Sequence, residues 1–292
     1  MKIATRTSPL ALWQAHLVGS LLNHDYELVP VQTIGDERQD TSLREIAGQG
    51  IFVKEIQQAL LDGRADVAVH SAKDLPSQSP EGLSIAGVPL RGDPRDAIIG
   101  LPLSEIPSGG RVGTSSARRA CLLRSIRPDL EVVEVRGNIA TRLKLLDRLD
   151  GLMMASAALE RLEIARRDVA HFEVSQLCPQ VAQGIIAAEC RADDVETEGR
   201  LRAITDEATE LALRAERAFL AQLGGGCTLP LGAYADHEDG ELRIFGFVGS
   251  LDGRQIVRGE RRGLDPVELG RALADDLLAI GAGELLAEVQ AS

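Results

Sequence analysis

No apolar run in this sequence is long enough to span a bilayer, and its start, Met1-Lys2-Ile3-Ala4-Thr5-Arg6, has neither the apolar core nor the cleavage pattern of an export signal. Membrane partners are set aside, and a cytoplasmic location is the expectation. Cysteine is scarce. The four, at 121, 178, 190 and 227, form no CxxC pair and no metal-ligand spacing with the five histidines. A disulfide framework and a metal site are both read as absent, which leaves free thiols in a reducing compartment. Excess positive charge is missing too. The formal charge is −12, whereas a general nucleic-acid binder needs a basic field to displace counterions from phosphates.

What is present begins with length: 292 residues exceed the usual single domain, so two or three cores are expected and a monomer is large enough to fold unaided. Charge is unevenly spread. Between Gly92 and Val181 there are 13 Lys+Arg against 12 Asp+Glu, a balance of +1 within a chain of −12. Nearly all of these cations are arginine, whose planar fork grips carboxylate or phosphate bidentately where lysine offers a point charge. Small polyanions are the partners this composition suits.

The first part of the chain alternates strand and helix, the grammar of a mostly parallel sheet: Lys2 to Thr5, a helix from Pro9, Glu27 to Thr33, a helix around Phe52 to Leu61, and Asp66 to His70. Ser8 as N-cap and Pro9 at the first helical position start the first helix, and Leu10, Trp13, Leu17 and Leu21 give it a buried stripe. Trp13 then belongs to the core. A second α/β set follows from Asp93, with Asp96 to Gly100, Arg111 to Gly113, Glu131 to Val135 and Leu152 to Ser156 as strands. Between Cys178 and Arg191, small residues and an apolar run around Gly184 read as a crossover back to the first domain, so that two connections act as a hinge. Beyond it come a helix capped at Thr205 or Asp206 and running to about Gln222, strands at Leu242 to Val248 and Gln255 to Gly259, and a last helix. Asp265 caps that helix, Pro266 opens it, and Leu269, Leu273, Leu277 and Ile280 face inward. Domain boundaries follow at 1–88 plus 185–203, 92–181, and 205–292. Residues 35–50, with little apolar periodicity, read as a mobile loop of the kind that covers active sites.

Three segments share one design, a strand running into hydroxylated residues and arginine ahead of a helix: Thr5-Arg6-Thr7-Ser8-Pro9, Val112-Gly113-Thr114-Ser115-Ser116-Ala117-Arg118-Arg119, and Val135-Arg136-Gly137-Asn138-Ile139-Ala140-Thr141-Arg142. Free N–H groups at a helix start, hydroxyls and guanidinium groups together make an anion site. Alternatively the hydroxyls only cap helices and the arginines are solvated. His70-Ser71-Ala72-Lys73-Asp74-Leu75-Pro76 follows an apolar strand, so its polar groups sit at a strand's C-terminal end, where open α/β sheets bind ligands. Asp74 is the acid/base candidate there, able to accept hydrogen bonds from N–H groups and stabilise a developing cation. A turn-stabilising pair with Lys73 is the plainer alternative. Cys227 stands directly after Gly224-Gly225-Gly226, a setting that lets a thiol approach a ligand, although a lone cysteine is more often a small buried hydrophobe. Cys121, Cys178 and Cys190 take that second reading.

In order along nearly the whole chain, the blocks ATRTSPLALWQ, FVKE, ADVAVHSAKDLP, DPRDA, VGTSSARR, VRGNIATRL, ECR, AERAFL and GGGCTLPLGAYA resemble the hydroxymethylbilane synthase (porphobilinogen deaminase) family. The resemblance implies an α/β fold: two domains like those of bilobed periplasmic binding proteins joined by a hinge, plus a small C-terminal α+β domain carrying a cofactor cysteine. It implies a dipyrromethane cofactor in thioether linkage to Cys227, with Asp74 as the catalytic carboxylate. Ser8, Lys73, Thr114, Ser116, Arg118, Arg119, Arg136 and Arg142 would hold cofactor and growing chain, and Arg6, Gln14 and Arg161 would face substrate. The implied reaction is head-to-tail polymerisation of four porphobilinogen molecules with loss of ammonia, then hydrolytic release of the linear tetrapyrrole. This chain departs from the family at Gln49, where lysine is usual, at Ile34, where arginine is usual, and at Ala158 and Ala182, where glycine is usual. A rival class is a non-catalytic bilobed protein that closes on a small polyanion; it gives Cys227 no role.

Overall fold

The computed structural model describes residues 1–33, 53–225 and 229–290. The expected loop of residues 35–50, the departures at Ile34 and Gln49, and Cys227 itself lie outside the described residues. The chain divides into two compact units, Met1–Gly92 with Gly184–Leu211, and Asp93–Gln183 with Ala212–Ser292. It passes between them at 92/93, 183/184 and 211/212.

The first unit is built on a five-stranded sheet in the order β2-β1-β3-β10-β4, where β1 is Lys2–Thr5, β2 Glu27–Pro30, β3 Val67–Ser71, β4 Leu83–Gly87 and β10 Ile186–Arg191. β1 runs parallel to β2 and β3, while β10 runs antiparallel to both its neighbours. Strands buried on both faces read as continuous apolar runs. Val67, Ala68 and Val69 fit that rule, and none of them is more than 2% exposed. The first helix, α1 (Pro9–Leu21), begins as expected, with the Ser8 hydroxyl accepting from the Ala11 N–H at 3.3 Å. Its buried stripe differs from the expected one. Ala11, Gln14, Ala15, Val18 and Gly19 face inward, and Leu21 is 45% exposed. Small side chains let the helix sit close to the sheet, and a Cβ on Gly19 would meet the Tyr26 ring at 2.5 Å. Trp13 and Leu17 pack at the flank of that cluster. The second helix, α2, is Lys54–Leu61, and β2 ends at Pro30, short of the expected Thr33.

The second unit repeats the arrangement. Its sheet runs β7-β6-β8-β5-β9, where β5 is Asp96–Gly100, β6 Arg111–Gly113, β7 Glu131–Val133, β8 Gly151–Ala155 and β9 Val169–His171. β6 is parallel to β7 and β8, and β5 is antiparallel to β8 and β9. Each sheet therefore has three parallel strands and then two reversals, and in each the fourth strand is the first one laid down after the chain crosses from the other unit. Helices α3 (Ala117–Ile126), α4 (Ile139–Leu143) and α5 (Ser156–Arg161) follow β6, β7 and β8. Ser116 and Asn138 cap α3 and α4 through their side chains. Short α6 (Val195–Arg202) completes the first unit.

The C-terminal part adds a three-stranded antiparallel sheet, β11 (Leu231–Glu238), β12 (Glu241–Gly249) and β13 (Ile256–Gly263), with α7 (Glu207–Gln222), α8 (Pro266–Ala279) and α9 (Ala282–Gln290). β11 and α9 go beyond the sequence reading. Asp206 caps α7, accepting from the Thr209 N–H at 2.8 Å. Asp265 caps α8, whose Leu269, Leu273 and Leu277 are buried. Each such leucine contributes about 1.5–3 kcal/mol on burial. Ile280, expected to face inward, is 58% exposed because the helix ends at Ala279 and the chain turns at Gly281, where φ is 104°. Phe247 of β12 packs into the core built by Ile98, Leu122 and Met153, which ties this sheet to the other sheet of the second unit. The fold is thus two α/β sheet domains with a small C-terminal α+β part.

Candidate functional site

In the first unit, the parallel pairing of β1 and β3 brings their C-terminal ends to one edge of the sheet. Arg6, Thr7 and Ser8 leave β1 there, and the single 3-10 turn Ala72–Asp74 leaves β3. Asp74 and Lys73 are half-buried at that edge. The Ser8 hydroxyl acts as a helix cap. Gln14 is buried, and its side-chain Nε2 donates to Ser71 Oγ at 2.9 Å, while the Ser71 hydroxyl lies 3.2 Å from Gln14 Oε1. It therefore braces the residue three places before Asp74. Beneath the same turn, buried His70 places Nε2 3.2 Å from Glu189 Oε2.

In the second unit, the parallel strands β7, β6 and β8 bring Arg136 with Arg142, Thr114 through Arg119, and α5 with Arg161 to the corresponding edge. Thr114 Oγ1 accepts from the Ser116 N–H at 3.2 Å, and Ser116 Oγ from the Arg119 N–H at 3.4 Å, so both hydroxyls shape the loop. At Gly137 φ is 93°, a left-handed conformation in which a Cβ would press on Thr141 Cγ2 at 2.8 Å. That turn aims the Gly137 carbonyl at Arg142 Nε, 2.8 Å away.

The centre of this edge is Asp96, the first residue of β5, fully buried and paired in register with Ala155 at the end of β8. Its Oδ1 accepts from Arg119 Nε at 3.0 Å, Arg119 Nη2 at 2.8 Å and Gln183 Nε2 at 2.9 Å. Its Oδ2 lies 2.7 Å from Arg118 Nη1. Burial alone would raise this carboxyl, but the charges of Arg118 and Arg119 and the hydrogen bonds from Arg118 and Gln183 reverse that and hold it well below its usual range. Burial lowers Arg142, and the neighbouring charges of Arg119 and Arg136 lower it further. Arg161 is pushed down to about 10 by burial, with Glu160 opposing.

The two adjacent arginines differ. Arg119 is engaged throughout, with Nη1 donating to the Met153 carbonyl at 3.3 Å in addition to its bonds with Asp96. Arg118, 2% exposed, uses Nη1 on the Cys178 carbonyl at 2.6 Å and on Asp96, while its Nε and Nη2 have no hydrogen-bond partner among the described residues. A buried N–H without an acceptor costs about 1–3 kcal/mol. Arg136 meets Glu134 through Nε at 3.1 Å and Nη2 at 2.7 Å. Three guanidinium groups, those of Arg118, Arg119 and Arg136, thus share two carboxylates, Asp96 and Glu134, among the ion pairs of the described residues. A ligand bearing several carboxylates fits this cluster.

Asp96, Gln183, Gln57 and Glu189 escaped the sequence reading. The signal was there: a lone acid at the head of Asp96-Ala97-Ile98-Ile99, or inside Ile186-Ala187-Ala188-Glu189-Cys190, sits in a strand that must bury it, and a buried charge needs partners. The three described cysteines are free and buried, and burial raises all three thiols, Cys121 to about 11. Among the described residues no group of three or more His, Cys, Asp or Glu is arranged to hold a metal ion, and no helix is long and apolar enough to cross a membrane.

Among solved structures, similarity extends to the periplasmic domain of Bordetella pertussis BvgS (16% identity, 70% of this chain and 39% of that one, TM-score 0.37). It extends also to a Salmonella typhimurium periplasmic binding protein described as having high arginine specificity (11% identity, 70% and 89%, TM-score 0.39). An ancestral cationic amino acid solute binding protein gives 12% identity, 69% and 86%, and a TM-score of 0.42. This chain spans about two-fifths of the BvgS domain. At these scores the likenesses carry no argument about function. The family matches are stronger. Residues 1–199 match the porphobilinogen deaminase dipyrromethane cofactor binding domain, and residues 210–279 match the porphobilinogen deaminase C-terminal domain. On these two matches, which cover most of its length, the chain belongs to the porphobilinogen deaminase family.

Proposed function

We propose that this chain is a hydroxymethylbilane synthase, joining four porphobilinogen molecules head to tail on a dipyrromethane primer held in thioether linkage by Cys227, and then releasing the linear tetrapyrrole by hydrolysis. Family membership makes it a transferase of tetrapyrrole biosynthesis. The observation that carries the finer reading is the buried arginine cluster around Asp96 with two donors left over on Arg118, because primer and substrate both carry acetate and propionate groups.

Arg118, Arg136 and Arg142, with the loop held by Thr114 and Ser116, would grip those carboxylates, and Arg119 would lock Asp96 in place between the guanidinium groups. When bound, the dipyrromethane supplies a nucleophilic pyrrole carbon. Asp74 accepts hydrogen bonds from pyrrole N–H, stabilises the cation formed as ammonia leaves the substrate's aminomethyl group, and takes up the proton that ring substitution releases. Lys73, Arg6 and Arg161 offer positive charge to the incoming carboxylates, and Gln14 acts through Ser71. Three domains (1–88 plus 185–203, 92–181 and 205–292), a monomer and a cytoplasmic location complete the proposal.

Intact mass of wild type and Cys227→Ser tests it, together with ammonia release from porphobilinogen. The expected result is an added dipyrrole mass on the wild type alone. Wild-type protein lacking both the adduct and ammonia release would instead favour the non-catalytic binding protein.

A further inference from the structure

We infer that Glu189 is a positioning residue for Asp74, acting through His70 and the backbone of the turn; this rests on the function proposed above. The turn Ala72–Asp74 follows β3 directly, so the end of β3 decides where Asp74 lies. That end is held on both faces. On one, Gln14 of α1 braces Ser71. On the other, His70 and Glu189 meet at 3.2 Å with side chains 2% and 0% exposed, and Gln57 of α2 donates its Nε2 to the same Glu189 oxygen at 2.8 Å.

Strand register explains the meeting. β10 pairs with β3 so that Glu189 lies opposite Ala68 and Ala187 opposite His70, which puts Glu189 diagonal to His70 on a shared face. Just ahead of β10, the Ile185 carbonyl accepts from the Ala72 N–H at 3.0 Å. The strand carrying Glu189 therefore fixes both the last inward side chain before the turn and the first amide of the turn. A carboxylate with no exposure is costly to bury, so its partners are constrained in return. The second unit offers an internal precedent: in the strand at the same place of its sheet, Asp96 fixes the arginine pair.

Glu189→Gln and His70→Asn in the purified holoenzyme test this. Glu189→Gln should retain the primer by intact mass and lower kcat for porphobilinogen about tenfold with KM within about twofold, and the double variant should lose no more than the worse single one. Amide exchange at Ala72 and Leu75 should quicken in Glu189→Gln while that at Thr114 in the other unit stays unchanged. Unchanged exchange at Ala72, or losses in kcat that multiply in the double variant, would overturn the inference. Should Glu189→Gln fail to fold, Gln57→Leu removes one donor from the same oxygen and is read by the same exchange. If the wild type releases no ammonia, the proposed function fails, and exchange alone still decides whether Glu189 holds the turn.

Discussion

In the first unit the strand entering between β3 and β4 brings in Glu189, whose partners are an amide and an imidazole; in the second the strand entering between β8 and β9 brings in Asp96, whose partners are two guanidinium groups and an amide. Strand order and direction are the same in both. What differs is the charge that reaches the sheet edge. The first unit presents Asp74 there beside Lys73 and Arg6, and the second presents Arg118, Arg119, Arg136 and Arg142, with Nε and Nη2 of Arg118 lacking a hydrogen-bond partner among the described residues. Under the proposed function a repeated framework is divided between acid/base work and the holding of carboxylates, and the division lies in a few residues at equivalent places. Changing those residues one at a time should affect one unit and leave the other intact.

The largest effect should come from Asp74→Asn, which keeps the shape of the turn and removes the anionic acceptor. Turnover of porphobilinogen should fall by about 10²- to 10³-fold, while the primer mass stays on Cys227. Single-turnover ammonia release checks it, and an unchanged rate would move the chemistry away from the first unit. Next come the two arginines. Arg119→Gln withdraws two hydrogen bonds from a buried carboxylate and should destabilise the second unit by about 3 kcal/mol. Arg118→Gln removes the unsatisfied Nε and Nη2 donors along with its contacts, so its cost should be nearer 1 kcal/mol, but it should abolish assembly of the primer on Cys227. Urea-dependent amide exchange at Thr114 reads the second unit, and fluorescence of Trp13, the single tryptophan, reads the first. Equal behaviour of the two variants would erase the distinction between anchor and ligand-holding arginine.

Much of this was legible in the sequence because local rules decided it. Ser8-Pro9 and Asp265-Pro266 start helices by backbone chemistry that needs no tertiary information, and Val67 to Val69 can only be a strand buried on both faces. The α1 stripe was misjudged because large apolar residues were expected to face the sheet, whereas close approach selected Ala11, Ala15 and Gly19. β11 was hidden because Gly232 and Asp236 blur its alternation. Of the site, the arginines and Asp74 stand in recognisable loops. Asp96 and Glu189 do not, since what each touches depends on which strand it meets after the chain has crossed between units.

A smaller effect should follow the charge of Asp96. Its folded carboxyl titrates below the ordinary value of 3.8, so the unfolded chain takes up a proton that the folded one refuses. The stability it contributes is complete above that ordinary value and is lost as the pH falls from about 4 toward the folded pKa. Stability of the second unit between pH 5 and pH 3, read by Thr114 exchange, should decline more steeply in wild type than in Asp96→Asn. The variant should start from a lower plateau because Arg118 and Arg119 lose their counter-charge. Parallel slopes would mean that more exposed acids govern the acid limb.

The smallest effect sharpens the comparison at the crossover between the units. Ala182 holds φ at 62°, a left-handed conformation that costs a Cβ-bearing residue about 1–2 kcal/mol. It is kept there by Glu216, fully buried, whose Oε2 accepts from the Ala182 N–H at 2.5 Å while Oε1 accepts from the Ala235 N–H at 2.9 Å. Ala182→Gly removes the strain but loosens the unfolded chain, so a net gain of about 0.5 kcal/mol is expected in the second unit, with the first unchanged. A loss of stability instead would mean that the methyl group packs well enough to outweigh its backbone cost, and that this position tolerates alanine through contacts rather than in spite of strain.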